Sequence, residues 1–543
     1  MNDFLIAVSA DGSSGDKEKA KIQILDIDIE YSVNEIPVLK LKLIDGNLNK
    51  KTFELADSKI FELGMIISVS TADGSTLLFK GLITGLSIGR DQDTYHCVVA
   101  HGDAIKMTEG ASTQLFDPEI TDDGLIKKLM EDTGATAGKV AASTIKHNQY
   151  FCYQQTPWRV MMDRVMANGF VFVPSPADNA VIDLQTHSAK EHAMEIYKSE
   201  VINFQLELDT RSQIKNISAN AWSITNQKLD MDVKGESAAF RAYPDADQVL
   251  KTADLSLFSH IPKSPEELAS QATAQNNYRL LDAYQGHITL VLNDKSKAAS
   301  ITLMSKLKIA GVGSEFSGDY IVTSIRHRNS KGQWLMEIGL GLSLTQTLQS
   351  HYYKLPPMGN QIAKIVEFAI DEKEALERIP IELPCVAPGE KVWARLLSPF
   401  ASEEEGLYFP PNTGDEVVVG FIDGDCRYPV VLGSCHNPVQ VPPQALEAGH
   451  PIQGIYVKDA DKKMINVVFD RAQLLMESTV GEETKLVIGD ADGLLLEKAK
   501  SSIAVAETVA LNSGDALTLE SAKDLSLTSK AKAIIEAQAT EIK

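Results

Sequence analysis

The chain has 543 residues and a formal net charge of −22, from 52 Lys and Arg against 74 Asp and Glu. This length exceeds what one hydrophobic core supports and predicts about three or four domains. The acidic balance argues against a surface for nucleic acid or anionic membranes, because phosphate contacts need a concentrated excess of Lys and Arg. The five cysteines include no CxxC pair, so neither a disulfide framework nor a zinc site is predicted.

The first residues, MNDFLIAVSADG, do not have the pattern of a signal peptide. Their apolar run is short, follows an acidic residue and lacks a basic flank. No later segment approaches the length of a membrane span. We therefore expect assembly in the cytoplasm without a signal peptide.

Strands are predicted from residue 1 to about 110. IQILDIDIEY and VLKLKLID alternate between apolar and polar residues, and MIISVST, LLFKGLITGLSI and TYHCVVAHG continue the set. A mixed α/β region then begins with helical spacing over residues 122–132, whose apolar face consists of Leu125, Ile126, Leu129 and Met130. A second helix is predicted after Thr156, which suits an N-cap, with Pro157 in its first turn and Asn168-Gly169 at its end.

Residues 236–277 are polar and helix-prone, with breaks at Pro262 and Pro265, and are interpreted as a connecting segment on the outside of the molecule. A second strand-rich block follows at about 285–344, and it resembles part of the first. Residues 79–102 and 317–341 share a turn, an apolar strand, a basic polar turn and an aromatic strand. Ile83-Thr84 aligns with Val322-Thr323, and Tyr95 with Trp334, at one offset of 239 residues (334 − 95).

This apparent repeat bears on symmetry. Hairpins share turn chemistry, so chance similarity is the alternative. Two similar barrels in one chain, placed around a threefold axis, present six similar units to a sixfold tube. The repeat therefore predicts a symmetry adaptor.

Residues 392–437 predict a compact β module. A first run of β-branched and aromatic residues consists of Val417, Val418, Val419, Phe421 and Ile422. Asp423-Gly424-Asp425 supplies a turn, and residues 430–432 form a second run. Upstream, IAKIVEFAI and RIPIELP are predicted as the first strands of the module, after a linker that contains Pro356-Pro357.

This module resembles the OB-fold of VgrG spike proteins and their phage baseplate relatives. The motifs that carry the resemblance are Trp393-Ala394-Arg395, Phe409-Pro410, Gly414-Asp415-Glu416-Val417, Asp423-Gly424-Asp425, Pro429-Val430-Val431-Leu432-Gly433-Ser434 and His436-Asn437. A generic Greek-key barrel needs alternating strands and glycine turns, but not these motifs in this order. QQTPWRVMMDRVMANGFVF, residues 154–172, is similar to the helix-then-strand signature of the hub domain in the same family.

The resemblance implies a mainly β multidomain protein with a minor α/β part. A phage-hub-like domain would occupy residues 1–350, with pseudo-repeated β-barrels at about 1–110 and 285–345, and an OB-fold would occupy 360–440. A needle at 455–543 would be a triple-stranded β-helix formed by a homotrimer. The implied partners are a hexameric tube protein, baseplate proteins, a PAAR-like tip protein, effector cargo and a target membrane pierced mechanically, with no nucleic acid.

The last region shows apolar pairs two residues apart, most of them repeating every eight residues: Leu486/Ile488, Leu494/Leu496, Ile503/Val505, Val509/Leu511, Leu517/Leu519 and Leu525/Leu527. Alternation predicts strands, and three chains wound together would bury such faces and pair every edge. The family's valine-x-glycine octads are largely absent, because few glycines remain. An Ala-rich helical or coiled-coil tail is the alternative, although the apolar positions fit period two better than 3.5.

The sequence predicts no catalytic, cofactor-binding or metal-binding residue. Residues 134–140 are one residue short of a phosphate-binding loop and are interpreted as a helix stop at Gly134. His187 and His192 would bind a metal only if both faced one pocket. Asp423 and Asp425 are explained by a turn without calcium.

The predicted function is a structural, non-enzymatic spike of a contractile injection system, ejected from the cell with the particle. The rival from another class is a tail-associated cell-wall hydrolase, for which Glu131, Asp132 and Asp163 are the candidate carboxylates. A trimeric β-helical adhesin is a third interpretation, disfavoured by the missing export signal.

Overall fold

The computed structural model describes residues 4–9, 22–47, 49–238, 240–244, 246–251, 254–294, 298–330, 332–344, 355, 357–369, 371, 376–386, 388–445, 448–449, 451–481, 484–489 and 493–498, together with 513–518, 520, 523–524, 526, 528–530, 532, 534 and 536. The chain divides into two compact units, Met1–Asn437 and Pro438–Lys543. In the described part, no helix is both long and apolar enough to cross a membrane.

The first unit is mainly β. Its opening elements are β1 (Phe4–Ser9), β2 (Ile24–Ser32), β3 (Val38–Ile44), α1 (Glu54–Asp57), β4 (Ile66–Thr71), β5 (Leu77–Arg90) and β6 (Thr94–His101). The middle elements are β7 (Ser112–Leu115), β8 (Ile120–Thr121), α2 (Asp122–Thr133), β9 (Ala137–Val140), β10 (Lys146–His147), β11 (Phe151–Gln155), α3 (Pro157–Ala167), β12 (Phe170–Pro174), β13 (Asn179–Asp183), β14 (Glu191–Glu195), β15 (Val201–Leu208), β16 (Ile217–Ser223), β17 (Lys228–Lys234), α4 (Ala246–Leu250), β18 (Leu255–Ser259) and α5 (Pro265–Ala283).

The later elements of this unit are β19 (Tyr284–Val291), β20 (Lys306–Ala310), α6 (Gly313–Phe316), β21 (Gly318–Ser330), β22 (Gln333–Leu340), β23 (Gln361–Ile365), β24 (Ile379–Glu382), β25 (Val392–Leu396), β26 (Ala401–Ser402), β27 (Glu405–Gly406), β28 (Glu416–Phe421) and β29 (Pro429–Ser434). These strands, predicted from alternation and turn residues, confirm the mainly β fold class.

Twelve strands form one sheet made of two modules with the same strand order. The first module runs β1-β4-β5-β6-β3-β2, and the second runs β14-β20-β21-β22-β19-β15. They differ in the direction of one strand, because β1 is antiparallel to β4 whereas β14 is parallel to β20. The modules join where β2 pairs with β21. The strand order thus supports the internal repeat, and β14 and β15 show that the second module begins well before residue 285.

The two modules share their irregularities as well as their order. The β5–β6 pairing shifts register between Ile83 and Gly85, and the β21–β22 pairing shifts between Val322 and Ser324. At each bulge a threonine hydroxyl donates to a carbonyl of the facing strand at 3.5 Å, from Thr84 to Val99 and from Thr323 to Gly339. Because bulges are specific local features, this coincidence argues for a true structural repeat.

The alignment of Tyr95 with Trp334 is wrong by one residue. Gly85 pairs with Val99 in β6, whereas the equivalent Ser324 pairs with Gly339 in β22, which is an offset of 240 (339 − 99). Between equivalent positions the second module has one more residue, because Arg90 pairs with Thr94 across three residues and the equivalent Asn329 pairs with Trp334 across four, so Tyr95 corresponds to Leu335. Trp334 instead points into the core, with 3% of its surface exposed.

The junction between the modules is an antiparallel pairing of β2 with β21 from Asp26↔Ser330 to Ser32↔Ser324. On its inner face Ile27, Ile29 and His327 are buried. On its outer face Arg326 donates two hydrogen bonds to Asp28, at 2.7 and 2.5 Å. Trp334 of the second module lies in the core of the first, with its ring 4.6 Å from that of Phe4. The modules are therefore joined by backbone, packing and charge.

Burial of His327 makes this junction sensitive to acid. Desolvation lowers the pKa of His327 from 6.5 to about 4, and Trp334 Nε1–H donates to its Nδ1 at 3.3 Å. The unfolded chain takes up a proton near pH 6.5, but the folded site does not until about pH 4. Stability is therefore full above about pH 6.5 and falls by about 3 kcal/mol as the pH drops to about 4. We expect His327→Leu to lose this part of the pH dependence, measured as urea midpoints from pH 4 to 7.5.

His260→Leu is the matched control, because His260 is exposed on the same unit. Its pH dependence should follow that of the parent protein. Equal acid sensitivity of His327→Leu and the parent would contradict the assignment.

The α/β region between the modules forms as predicted. Helix α2 buries Leu125, Ile126, Leu129 and Met130 and ends at Gly134, whose φ of 69° confirms the helix stop. Helix α3 begins at Pro157, with the Thr156 hydroxyl accepting from Arg159 N–H at 3.3 Å. Gly169, with φ of 70°, follows its end.

The interpretation of residues 236–277 as an outer connecting segment is wrong for its second half. Helix α5 begins inside it, capped by Ser264, and packs on the sheet β17-β16-β18. Leu268, Ala272 and Tyr278 are buried on α5. The many Ala, Asn and Gln residues of α5 hide this face, because small and amide side chains give a weak apolar periodicity.

Residues 361–434 form a closed barrel in the order β23-β24-β25-β29-β28. Strand β23 contains the first four residues of the predicted IAKIVEFAI segment, and β24 lies within RIPIELP. A short helical turn at Ile422–Gly424 connects β28 to the loop before β29. Barrel residues such as Val392 and Val419 share one buried cluster with Leu125 and Val160 of the α/β region. The barrel is therefore packed on the hub through apolar contacts.

The second unit contains a five-stranded antiparallel sheet: β30 (Ile452–Lys458), β31 (Met464–Asp470), β32 (Leu475–Val480), β33 (Thr484–Gly489) and β34 (Gly493–Lys498). Cross-strand pairing places six large apolar residues on one face: Ile455, Val457, Ile465, Phe469, Val480 and Ile488. Each is 44–53% exposed. One face of this sheet is thus apolar and uncovered in the single chain.

The predicted octad pairs fall mostly outside the described residues. Leu486/Ile488 and Leu494/Leu496 lie on β33 and β34, which pair with each other. Ile503/Val505, Val509/Leu511, Leu525/Leu527 and Leu519 are not among the residues that the structure describes. No helix occurs between residues 452 and 536 in the described part, so the helical alternative gains no support there.

Candidate functional site: the joint between the hub and the barrel

A cluster of charged side chains joins the hub to the barrel. Its members, here called the Arg427 cluster, are His147 on β10, Arg164 on α3, Glu267 on α5, and Asp425 and Arg427 before β29. Arg164, Glu267, Asp425 and Arg427 border a cavity of about 840 Å³ between the α/β region, α5 and the barrel. The residues come from four distant parts of the sequence.

Arg427 is the centre of the cluster. Its guanidinium donates to Asp425 from Nε at 3.0 Å and from Nη2 at 2.8 Å. It also donates to both oxygens of Glu267, each at 3.2 Å, in a bidentate pair. The Arg427 side chain is only 9% exposed and that of Glu267 only 6%. A planar guanidinium suits this double carboxylate contact better than an ammonium group would.

The turn before β29 fixes Asp425 and Arg427. Arg427 N–H donates to Asp425 Oδ1 at 2.9 Å, and Asp425 N–H donates to Ile422 O at 3.0 Å. Gly424 has φ of 70°, and a Cβ there would lie 2.3 Å from Cβ of Pro357. The Asp423-Gly424-Asp425 turn, predicted from its turn residues alone, therefore also presents a partly buried carboxylate to Arg427.

Charge compensation governs the protonation of the carboxylates. Burial raises the pKa of Asp425, but Arg427 outweighs it and brings the pKa to about 2. Burial likewise raises the pKa of Glu267, yet Arg427 and Lys263 leave it below its usual range. Both groups stay ionised at neutral pH because of their cationic neighbours.

A second buried carboxylate connects to Arg427 through a histidine. Asp122 is fully buried and accepts from Asn168 Nδ2 at 2.7 Å. His147 Nε2 lies 2.6 Å from Asp122 Oδ1, and Arg427 Nη1 lies 3.4 Å from His147 Nδ1. The geometry is satisfied when Arg427 donates to Nδ1 and Nε2–H donates to Asp122. The chain of contacts runs from the barrel turn to the start of α2.

Further contacts between hub and barrel surround the cluster. Trp393 N–H donates to Gln149 Oε1 at 2.7 Å, and Gln149 Nε2 donates back to Trp393 O at 3.3 Å. Tyr428 hydroxyl donates to Pro262 O at 2.5 Å. The rings of Phe151 and Phe421 meet edge to face at 5.9 Å. These contacts favour a rigid joint, because buried polar groups are satisfied across it.

The carboxylates considered for hydrolysis are not gathered into one site. Asp132 is exposed on α2 and lies 3.9 Å from Lys128, and Glu131 is also exposed. Asp163 forms an ion pair with its neighbour Arg164 on α3. Each is explained as a structural charge, and none is paired with another in the manner of a general acid and base.

The histidines considered as metal ligands are also explained by local structure. His187 Nε2 lies 2.9 Å from the carbonyl of Met304, while His192 is on β14, paired with β20. Among the described residues, no group of three or more His, Cys, Asp or Glu side chains is arranged to hold a metal ion.

Two family models match the chain. The Alg8 N-terminal domain matches residues 6–331, and the type VI secretion system/phage-baseplate injector OB domain matches residues 361–436. The first covers the α/β region and most of the two modules, and it ends before β22. The second covers the barrel, where the sequence motifs predicted it.

Curated relatives match a short part of the chain. The type VI secretion system spike proteins VgrG2a and VgrG2b of Pseudomonas aeruginosa are each 33% identical over 95 residues, which is 16% of this chain. The match spans 11% and 9% of those two proteins, so the chain corresponds to about a tenth of their length.

Solved structures share the fold over most of the chain. A chain of the Francisella PdpA–VgrG complex has a TM-score of 0.56 at 10% identity, covering 88% of this chain and 76% of that chain. The Escherichia coli c3393 protein, a component of the type VI secretion system with structural similarity to T4 tail proteins gp27 and gp5, has a TM-score of 0.50 at 12% identity, covering 79% and 99%. At these identities the likeness is one of fold.

The resemblance derived from the sequence motifs is confirmed by these matches. The Alg8 N-terminal domain model spans more than half of the residues, and the barrel matches the OB domain of injectors. The chain therefore belongs to the family of the Alg8 N-terminal domain, and its barrel is similar to the OB domain of type VI secretion and phage-baseplate injectors.

Proposed function

We propose that this protein is the structural trimeric spike at the tip of a contractile injection apparatus, where it adapts a hexameric inner tube to a membrane-piercing needle. The observation that carries the proposal is the pair of six-stranded modules with one strand order and shared bulges. Three chains supply six such modules, which matches a sixfold tube without unpaired positions.

The second unit supports association of several chains. Its sheet exposes six large apolar residues on one face, as described above, and Val487 is its one fully buried apolar side chain among the described residues. A contiguous apolar face of this kind marks an interface. Packing against two further copies would cover it at the base of a needle, with the triple-stranded β-helix continuing toward the tip.

The Arg427 cluster suits the mechanical role. A spike must carry compressive load from the hub into the needle, and the barrel lies between them in the sequence. A joint of bidentate ion pairs, buried hydrogen bonds and a shared apolar core resists shear better than a flexible linker. The cluster therefore serves as a rigid coupling for force.

The proposed partners follow from this role. The spike would contact the tube protein and baseplate proteins at the hub, and a PAAR-like tip protein would cover the exposed strand ends of the needle. A solved complex of a fold relative, named as PdpA–VgrG, supports partnership within an injection particle. Cargo would ride at or beside the tip, and the assembled particle would carry the spike out of the cell.

The mass of the purified protein in solution tests the proposal. We expect a trimer of about 178 kDa, three times 59.2 kDa, because both the hub modules and the apolar face of the second unit need neighbours. Light scattering coupled to size exclusion gives this mass. A monomer at all concentrations would overturn the proposed function.

A matched pair of variants checks the part of the second unit. Ile455 and Ile452 lie on the same strand but on opposite faces, and are 47% and 38% exposed. Ile455→Asp should reduce the trimer fraction at low concentration, since a charge enters the apolar face. Ile452→Asp should leave that fraction unchanged, and equal effects would refute the assignment of the face.

A further inference from the structure

We propose that strand β15 of one chain pairs, antiparallel and in a defined register, with the outer half of β5 of a second copy, so that the sheets of neighbouring chains become continuous. This inference rests on the proposed trimeric spike and specifies the contact between its hubs. It follows from the repeat, because the chain already makes the equivalent contact once within itself, between β2 and β21.

Strand β15 occupies in the second module the place that β2 occupies in the first. β2 pairs with β3, and β15 pairs with β19, both antiparallel. The register shifts between Ile24 and Asp26 in one pair and between Val201 and Asn203 in the other. The same bulge at an offset of 177 residues (201 − 24) makes β15 the structural equivalent of β2.

Strand β5 is likewise the equivalent of β21. Both are long strands whose first half pairs with a shorter strand, β4 or β20, and whose second half pairs with β6 or β22. In β21, residues 324–330 also pair with β2 on their other edge. The corresponding residues 85–90 of β5 have no such neighbour in the sheet of the described chain.

Among the edges of the described sheet, which also include β1 and β14, two correspond to the two sides of the β2–β21 contact: β15 and the outer half of β5. In the described part of the chain, β15 pairs with β19 alone. Free edges with unpaired N–H and C=O groups attract further strands unless they are blocked. Strand β15 is equivalent to β2 and strand β5 to β21, and β2 and β21 pair with each other. A second copy of this chain is therefore the partner that fits both edges.

The two edges carry apolar side chains at the positions whose equivalents are buried in the β2–β21 junction. Ile27 of β2 is 1% exposed, whereas its equivalent Phe204 is 42% exposed. On β5, Leu86 and Ile88 are 37% and 56% exposed, although the equivalent of Ile88, His327, is buried. Side chains that are buried at the β2–β21 junction thus have apolar, exposed equivalents on β15 and on the outer half of β5.

The repeat also fixes the register. Within the chain Glu30 pairs with Arg326, and transfer by the two offsets places Glu207 of one chain opposite Ser87 of the next. By the same transfer, Leu206 faces Ile88 and Leu208 faces Leu86. The contact is head to tail, and in the proposed threefold trimer three such contacts close a ring.

One difference separates the two kinds of junction. The ion pair of Arg326 with Asp28 has no counterpart between chains, because Ser87 and Gln205 stand at those positions. The contact between chains would consequently depend on backbone pairing and apolar packing. We expect it to be less sensitive to salt than a contact held by surface charges.

Directed disulfide formation tests the register. In a Cys97→Ser background, which removes a thiol directly across from residue 87 on β6, one preparation carries Ser87→Cys and another carries Glu207→Cys. Both residues are exposed in the single chain, so the fold should tolerate them. After mixing, reassembly and mild oxidation, we expect a covalent dimer that neither preparation gives alone, read on a non-reducing gel.

Lys80→Cys replaces Ser87→Cys in the control, because Lys80 lies on the inner half of β5, where β4 already covers the edge. Paired with Glu207→Cys, it should give no covalent dimer. A trimer by mass that forms no 87–207 disulfide would overturn this junction while leaving the trimeric spike intact. A monomer by mass would overturn both.

A second variant avoids cysteine chemistry. Ile88→Asp alters a side chain that is exposed in the single chain, so the monomer should unfold at an unchanged temperature while the trimer fraction falls at least tenfold at micromolar concentration. Leu77→Asp, at the far end of β5 and 39% exposed, is the control and should leave the trimer intact. A full trimer with Ile88→Asp would refute the junction.

Discussion

Replacing Arg427 with alanine is expected to lower the free energy of unfolding by about 3–5 kcal/mol, because it leaves the buried carboxylate of Glu267 and the partly buried carboxylate of Asp425 without their cation. Asp425 and Glu267 both accept from Arg427, and both are ionised at neutral pH in its field. Thermal unfolding followed by intrinsic fluorescence measures the loss. Limited proteolysis should also detect a loosened barrel.

The control for Arg427 is Arg395→Ala. Arg395 lies on β25 of the same barrel but is exposed, so its loss should change stability by less than about 0.5 kcal/mol. Neutralising the carboxylates in the Arg427→Ala variant, with Glu267→Gln and Asp425→Asn, should recover part of the lost stability. No recovery would show that packing, and not unpaired charge, accounts for the effect.

Replacing Trp334 with alanine should cost about 3–5 kcal/mol, because it opens a cavity where the two modules meet. The Trp334 ring contacts Phe4 of the first module and His327 of the second, and its Nε1–H is hydrogen-bonded. Calorimetry gives the size of the loss. Since the ring belongs to the core of the other module, both modules should unfold at a lower temperature.

Trp222→Ala is the matched control for this change. Trp222 is 38% exposed on β16, away from the sheet that joins the modules. The same substitution there removes less buried surface and should lower stability by much less. Equal losses at the two positions would contradict the view that Trp334 holds the modules together.

Local patterns predicted the local elements well. The apolar face of α2, the cap and stop of α3 and the strands of the barrel follow from periodicity and turn chemistry, which act over a few residues. The repeat was also visible in sequence. The predicted alignment of β6 with β22 was wrong by one residue, because one added residue in the turn before β22 leaves the alternation of both strands unchanged.

The joint between hub and barrel was not predictable in the same way. His147, Arg164, Glu267 and Arg427 lie far apart in sequence, and each resembles an ordinary charged residue of a helix or turn. Only the packing of α5 against the barrel turn brings them together. Asp425 was assigned to a turn correctly, but a turn motif does not reveal which charges will be buried beside it. The placement of β14 and β15 in the second module has a similar cause, because pairing partners are set by tertiary contacts.

The duplication of the module within one chain has a consequence for how the ring evolves and responds. In a ring of six identical subunits, every substitution occurs six times. In a ring of three chains with two modules each, a substitution in one module occurs only three times, in every second module. Ile88 and His327 already differ at the equivalent place. In a ring closed as proposed, mild acid would therefore loosen every second joint, the one inside each chain, while the joints between chains stay closed.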